Sequence, residues 1–245
     1  MQHDPTPSPP SGPRRLARAE GVLLARLRGF CVVLEDAHDP HNVSAVLRTC
    51  DALGIQDVHL VAENESESIL NPKVSVGAHR WLTVYRHRGA SQAIDALRKA
   101  GYDIFVSHLG AQAASLEAVP ATGRAAYVFG NEKSGVTAQW LDAADTTFVI
   151  PTSGFSGSLN LSVAVALTVY DRRCRRAAAG LPAGDLDAAE RAALRRTWYA
   201  GLAHGSEDRQ REYAAYLGSG VAPQFLPATN RSSPARPHIP PADRP

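Results

Sequence analysis

From Phe30 onward the chain alternates short apolar runs of strand formers with stretches of helical periodicity, and this alternation restricts the fold more than any other feature. Phe30-Cys31-Val32-Val33-Leu34, Val58-His59-Leu60-Val61, Trp81 to Tyr85, Tyr102 to Ser107, Ala126 to Phe129 and Phe148 to Ile150 all read as strands. Several of them run apolar without a polar alternate, the pattern of a strand covered on both faces. Between them, Val43, Val46, Leu47, Cys50 and Leu53 recur at helical spacing, with Gly54 as the stop. Ser91 to Ala100 is a second helix, ended by Gly101, and Leu159 to about Arg176 a third, strongly apolar one. The expected fold class is α/β, a mainly parallel sheet with helices on both faces.

The flanks differ in composition. Residues 4–13, DPTPSPPSGP, are too proline-rich for a helix or an inner strand, so residues 1–13 are expected to be a disordered arm. Residues 14–28 form an arginine-rich helical extension, residues 29–178 the core domain and residues 179–222 a helical C-terminal extension. The extension reads as helices over Leu186 to Leu202 and Glu207 to Leu217, and residues 223–245 as a second disordered tail.

Bulk charge says little. Lys and Arg total 26 against 24 acids, a formal net charge of +2, so any nucleic-acid affinity must come from local clustering. The 3 cysteines are far apart and odd in number, which excludes a disulfide framework and suits a reducing cytoplasm. No apolar run approaches the ~20 residues of a membrane span, and the first residues lack the apolar core of a signal peptide. A cytoplasmic protein without membrane attachment is the expectation.

Several common sites have no support here. No Gly-x-Gly-x-x-Gly turn follows the first strand, and neither a phosphate loop nor a Gly-x-Ser-x-Gly elbow is present. Asp36-Ala37-His38-Asp39-Pro40-His41 bunches ligand types in one loop, but without a metal-ligand spacing it reads better as a solvated turn; no metal is expected.

Three polar clusters remain. Asp39-Pro40-His41-Asn42 leads into a helix that carries Arg48 off its apolar stripe, on the face of Ser44. Asn42 reads equally well as a simple helix cap. Phe129-Gly130-Asn131-Glu132-Lys133-Ser134-Gly135 is a strand end entering a loop bounded by glycines. Ile150-Pro151-Thr152-Ser153-Gly154-Phe155-Ser156-Gly157-Ser158-Leu159-Asn160 ends a strand and opens an apolar helix, with Ser158 the better candidate for a plain cap. All three lie where strands end, the edge at which open α/β sheets bind ligands.

The phrases HNVSAVLRTCDALG, FGNEKSG and IPTSGFSGSLNLSVAVAL, in that order, resemble the three motifs of the SPOUT superfamily of RNA methyltransferases, within it the TrmH (SpoU) family of ribose 2′-O-methyltransferases. The resemblance covers roughly residues 30–176 and implies a C-terminal trefoil knot. It implies S-adenosyl-L-methionine as cofactor, held by Ser107, Leu109, Gly130, Ile150 and Leu159. It places Asn42, Arg48, Glu132, Ser158 and Asn160 at the family's catalytic and structural polar positions. It further implies a homodimer in which Arg48 faces the partner chain's cofactor. Thr152 and Phe155-Ser156-Gly157 depart from the usual pattern, which bears on loop rigidity rather than on the polar set.

The short flanks resemble those of the tRNA-modifying members, whose substrate is the D-loop guanosine at nucleotide eighteen. Arg172, Arg173, Arg175 and Arg176 are the expected RNA contacts, with Arg191, Arg195, Arg196, Trp198, Tyr199, Arg209 and Arg211 as a second set that also fits a pair of packed amphipathic helices. The competing readings are methylation of ribosomal RNA or of a wobble ribose, and a knotted RNA-binding factor without catalysis.

Overall fold

The computed structural model describes residues 13–62 and 80–219. The expectations for residues 1–12 and 223–245 fall outside the described residues. The elements in chain order are α1 (Arg14–Leu24), β1 (Phe30–Glu35), α2 (Pro40–Ala52), β2 (Asp57–Val61), β3 (Thr83–His87), α3 (Ala90–Lys99) and β4 (Asp103–Ser107). There follow β5 (Ala114–Ser115), β6 (Ala125–Phe129), α4 (Ala138–Ala143), β7 (Thr146–Val149), α5 (Leu161–Ala178), α6 (Ala188–Ala203) and α7 (Glu207–Ser219).

The 7 strands form one sheet in the order β3-β2-β1-β6-β4-β7-β5. Every pairing is parallel, with Leu34 opposite Leu60 on one side and Phe129 on the other. All 6 residues of β1 are buried, which is why it reads as an apolar run up to its closing Glu35. One face packs on α2 and α5 through Val43, Val46, Leu47, Val165 and Val169. The other packs on α3 and α4 through Ala93, Leu97 and Trp140. Gly54, at φ +78°, ends α2 as its position predicted.

Two short elements escaped the sequence reading. The strand β5 has 2 residues, too few to show a period, and α4 has 6, fewer than two helical turns. The strand expected at Trp81 to Tyr85 lies two residues later, at Thr83–His87. The expected N-terminal helix stops at Leu24, and Arg26 and Arg28 lie beyond it.

The helices outside the core pack on one another. Leu16, Ala19 and Leu23 of α1 meet Trp198, Tyr199 and Ala203 of α6 and Tyr213 of α7. Glu20 of α1, 5% exposed, accepts both hydrogen bonds of the Arg195 guanidinium at 2.6 Å and one from the Tyr199 hydroxyl at 2.8 Å. Asp185 accepts the backbone N–H of Arg28 at 2.6 Å and of Gly29 at 2.9 Å, tying the C-terminal extension to the start of β1. No helix among the described residues is long and apolar enough to cross a membrane.

Candidate active site

Because the strands are parallel, the loops after β1, β4, β6 and β7 emerge at one edge of the sheet. The loop after β6 is the tightest. Asn131 N–H donates to the Gly135 carbonyl at 3.1 Å and Gly135 N–H returns to Asn131 at 2.8 Å, closing a small ring. A Cβ at Gly130 would stand 2.2 Å from the Gly135 carbonyl carbon, and Gly135 itself sits at φ +71°. A side chain at Gly130 would need the loop rebuilt, and one at Gly135 would be strained by its left-handed backbone. The ring presents Glu132 at its exposed tip.

That tip meets two other elements. Asn42 Nδ2 donates to Glu132 Oε1 at 2.5 Å, and Asn160 Nδ2 donates to Asn42 Oδ1 at 3.0 Å. Asn160 Oδ1 in turn accepts from the Ser162 N–H at 2.9 Å and the Ser162 hydroxyl at 2.7 Å. The result is a directed chain, Ser162 to Asn160 to Asn42 to Glu132, in which each amide donates onward and accepts from behind. A carboxylate at its end strengthens every link. Three motifs far apart in sequence are thereby fixed to one another.

This arrangement corrects the capping expectations. Asn42 does not cap α2: Asp39 does, its carboxylate accepting the His41 N–H at 2.8 Å ahead of Pro40. An aspartate immediately before an N-terminal proline is itself a capping signature, and it leaves the Asn42 amide free to reach across. At α5 the roles expected of Ser158 and Asn160 are reversed. Asn160 is the cap, and Ser158 stands exposed two residues earlier with no side-chain hydrogen bond among the described residues.

Arg48 is not brought into the chain. It lies six residues beyond Asn42 on α2, exposed, and its side chain has no partner among the described residues. Around the same edge, Leu109 is 67% exposed and Leu159 36%, while Ile150, Ser107 and Gly130 are half-buried. Phe155 is fully exposed, and every residue from 151 to 160 is exposed. Large apolar side chains left open beside glycine-rich backbone suit a flat, partly apolar ligand with polar edges. The described residues hold no group of three His, Cys, Asp or Glu side chains placed to bind a metal.

The sequence pattern of the SpoU rRNA Methylase family matches residues 29–170, the stretch that forms the sheet and supplies the hydrogen-bonded chain. The chain belongs to that family. Among curated proteins, the tRNA (guanosine(18)-2′-O)-methyltransferase of Borreliella burgdorferi is 39% identical over 154 residues, 63% of this chain and 70% of that protein. The protein of the same name from Thermus thermophilus is 36% identical over 167 residues, 68% of this chain and 86% of that one. Among solved structures, the A. aeolicus TrmH/SpoU tRNA modifying enzyme superposes with a TM-score of 0.69 at 27% identity, over 77% of this chain and 97% of its own. As a SpoU methylase the protein is an RNA methyltransferase, and the seven-stranded parallel sheet is its catalytic framework.

The α5 arginines read as RNA contacts behave otherwise in this SpoU framework. Arg172 is 0% exposed, lies against the rings of Phe30 and Tyr127, and donates to the Gly123 carbonyl at 2.7 Å and to the Pro120 carbonyl. Burial pulls its guanidinium below the usual arginine range, and the Tyr127 hydroxyl beside it opposes the shift. Arg176, 7% exposed, pairs with Asp185 at 3.3 Å. Both guanidiniums are engaged by partners inside the fold. Arg173 and Arg175 are half-buried and point at backbone, Arg173 at the Leu53 carbonyl and Arg175 at those of Val119, at 2.5 Å, and Leu116, at 3.3 Å. A run of arginines on an apolar helix reads as a cationic patch, yet here it ties down neighbouring loops through their carbonyls. Trp198 and Tyr199 are likewise interior, at 3% and 1% exposure, so they cannot stack on an open RNA base.

Sequence reasoning also passed over Asn131, whose Nδ2 donates to the Asp36 carbonyl at 2.8 Å, and over Glu35, buried at the end of β1. The Glu35 carboxylate accepts the Thr137 N–H at 2.7 Å and its hydroxyl at 2.8 Å. Burial pushes the Glu35 carboxyl up, and those two hydrogen bonds pull it part of the way back. The one available signal was a carboxylate closing an otherwise apolar strand.

Proposed function

We propose that the protein transfers a methyl group from S-adenosyl-L-methionine to the ribose 2′-hydroxyl of guanosine 18 in the D-loop of tRNA. The observation that carries this reading is the Asn160–Asn42–Glu132 chain, which assembles all three family motifs at the sheet edge. The relatives named above supply the choice of nucleotide. The exposed apolar residues Leu109, Phe155 and Leu159, with Ile150, fit the adenosine of the cofactor, and the backbone of residues 130–135 fits its polar edges.

When bound, the cofactor would supply a sulfonium methyl carbon to the ribose oxygen, with the thioether S-adenosylhomocysteine as leaving group and the hydroxyl proton passing to solvent water. The hydrogen-bonded chain holds α2, α5 and the loop after β6 in fixed relation, so the attacking oxygen is oriented rather than searched for. Arg48 supplies positive charge to the oxygen as its negative charge develops, and grips an adjacent phosphate. A guanidinium carries five N–H donors and no acceptor, so Arg48 serves the oxygen as a hydrogen-bond donor.

Arg48 reaches a cofactor in this reading only across a homodimer. Val163, Leu167 and Tyr170 of α5 are 44%, 43% and 61% exposed and, at helical spacing, form an apolar stripe on the helix that packs beside α2. A second copy covers that stripe and delivers its Arg48. Co-expressed Arg48→Ala and Glu132→Ala chains, each inactive alone, then recover about a quarter of wild-type activity, because half of the dimers are mixed and each mixed dimer holds one intact site of its two. With the α5 arginines directed inward, RNA contact passes to exposed Arg15 and Arg18 of α1. They line a cavity of about 390 Å³ with Trp81, Trp198 and Arg26.

The test is mass spectrometry of nucleosides from tRNA and rRNA of a strain lacking the gene. Loss of 2′-O-methylguanosine from the tRNA D-loop is the expected result. Loss confined to rRNA or to a wobble ribose overturns the substrate, and no binding of S-adenosylmethionine in calorimetry overturns the donor and favours a non-catalytic RNA-binding factor.

A further inference from the structure

We propose that Glu35 is a positioning residue that, with the backbone of Asp36, clamps both ends of the loop carrying Glu132 and so sets cofactor affinity. The inference rests on the methyl-donor reading above and deepens it.

The loop leaves β6 at Phe129 and enters α4 at Ala138. Its only side chain in the hydrogen-bonded chain is Glu132, at an exposed tip. Something below the tip must fix it, because a tip held by one bond swings about it. Two adjacent residues of β1 and its exit do this. At the front of the loop, the Asp36 carbonyl accepts Asn131 Nδ2 at 2.8 Å, while Asn131 Oδ1 accepts the Lys133 N–H at 2.8 Å. At the back, the Glu35 carboxylate accepts both the N–H and the hydroxyl of Thr137.

The two anchors are built, not incidental. Glu35 is 3% exposed, an expensive place for a carboxylate unless its bonds matter. Asp36 stands at φ +47°, the one described residue other than glycine in the left-handed region, and this turn is what aims its carbonyl toward Asn131. Thr137 precedes α4 but its own side chain caps nothing; the hydroxyl is spent on Glu35 instead. Parallel pairing of β1 with β6, Leu34 opposite Phe129, keeps Glu35 and Asp36 level with the loop.

Thr137→Val, at an exposed position, removes the hydroxyl while keeping the shape, and Glu35→Gln removes the charge while keeping one acceptor. Two readouts decide, each on the full-length protein. In hydrogen exchange without cofactor, the amides of residues 131–137 exchange faster in both variants while β1 and β6 stay protected. In calorimetry, the Kd for S-adenosylmethionine rises about tenfold in each, with tRNA affinity changed less than twofold. Thr137→Ser, which keeps the hydroxyl, restores both. The double variant is no weaker than the worse single one, since both cut the same contact. Unchanged exchange together with a Kd within twofold of wild type in Thr137→Val overturns the proposal, and that variant decides alone if Glu35→Gln does not fold. If the wild-type protein binds no S-adenosylmethionine, the donor reading fails, while the exchange comparison still decides the clamp.

Discussion

The two ends of the sheet use the same residue types for opposite purposes. At the carboxyl edge, Asn42, Glu132 and Asn160 pair side chain to side chain within reach of solvent, and Arg48 has no partner among the described residues. At the amino edge and along α5, Arg26, Arg172 and Arg176 are buried, Asp185 pairs with Arg176, and Glu20 accepts from Arg195 and Tyr199. A polar group kept wet costs little and remains available to a ligand; one taken into the interior must be matched, and then belongs to the fold. Burial, more than residue type, separates the working groups of this methylase from its structural ones.

The contrast can be broken most directly at its two arginines. Arg48→Ala is expected to lower single-turnover methyl transfer by about 10²–10³-fold with no shift in thermal midpoint. Arg48→Lys assayed from pH 6 to 10 sharpens the point: near wild-type turnover in that variant would end any role specific to a guanidinium. Arg172→Met should do the reverse. It leaves the Gly123 and Pro120 carbonyls without their donor and should cost about 3 kcal/mol in denaturant unfolding, with tRNA affinity per folded molecule unchanged. A loss of RNA binding without a loss of stability would return Arg172 to the RNA interface.

Smaller effects test the regions between the two edges. His59, 6% exposed and hydrogen-bonded to His87 at 2.9 Å, has its pKa pushed down to about 4, first by burial and then by the neighbouring His87. Below its ordinary value of 6.5 the unfolded chain takes up a proton that the folded chain refuses until about pH 4, so stability falls as pH falls through that window. About 2 kcal/mol should be lost between pH 7.5 and 5, and His59→Phe should flatten that slope. Smallest is Tyr199→Phe, which removes one of three hydrogen bonds to Glu20 and should cost about 1 kcal/mol, read as faster hydrogen exchange in α6 and α7. If that variant instead loosens the catalytic loops, the two ends of the sheet are coupled and the contrast fails.

Much of this was legible in the linear sequence. Unbroken apolar runs at β1 and β6 announced strands covered on both faces, and the helical period of Val43, Val46, Leu47 and Cys50 announced the helix between them. Both signals are local, and the parallel sheet follows from their alternation. The three polar clusters were visible as well, and their fixed order carried the family. Partnership was not visible. The Asp39-Pro40 pair does signal the cap of α2, but nothing near Asn42 points to Glu132 on a distant loop, and nothing near Glu35 points to a threonine a hundred residues on.

The α5 arginines show the same limit from the other side. A sequence window sees Arg172-Arg173-Cys174-Arg175-Arg176 as concentrated charge, which is the outward signature of an RNA contact. Whether a guanidinium faces water or a carbonyl depends on which loops the fold brings over that helix. By itself the sequence determined the period of each element, the position of its breaks and the identity of the motifs, because these depend on neighbours along the chain. Only the tertiary structure decided which polar groups remained in water and which were buried, because desolvation is set by what packs above a residue, and that packing comes from distant segments.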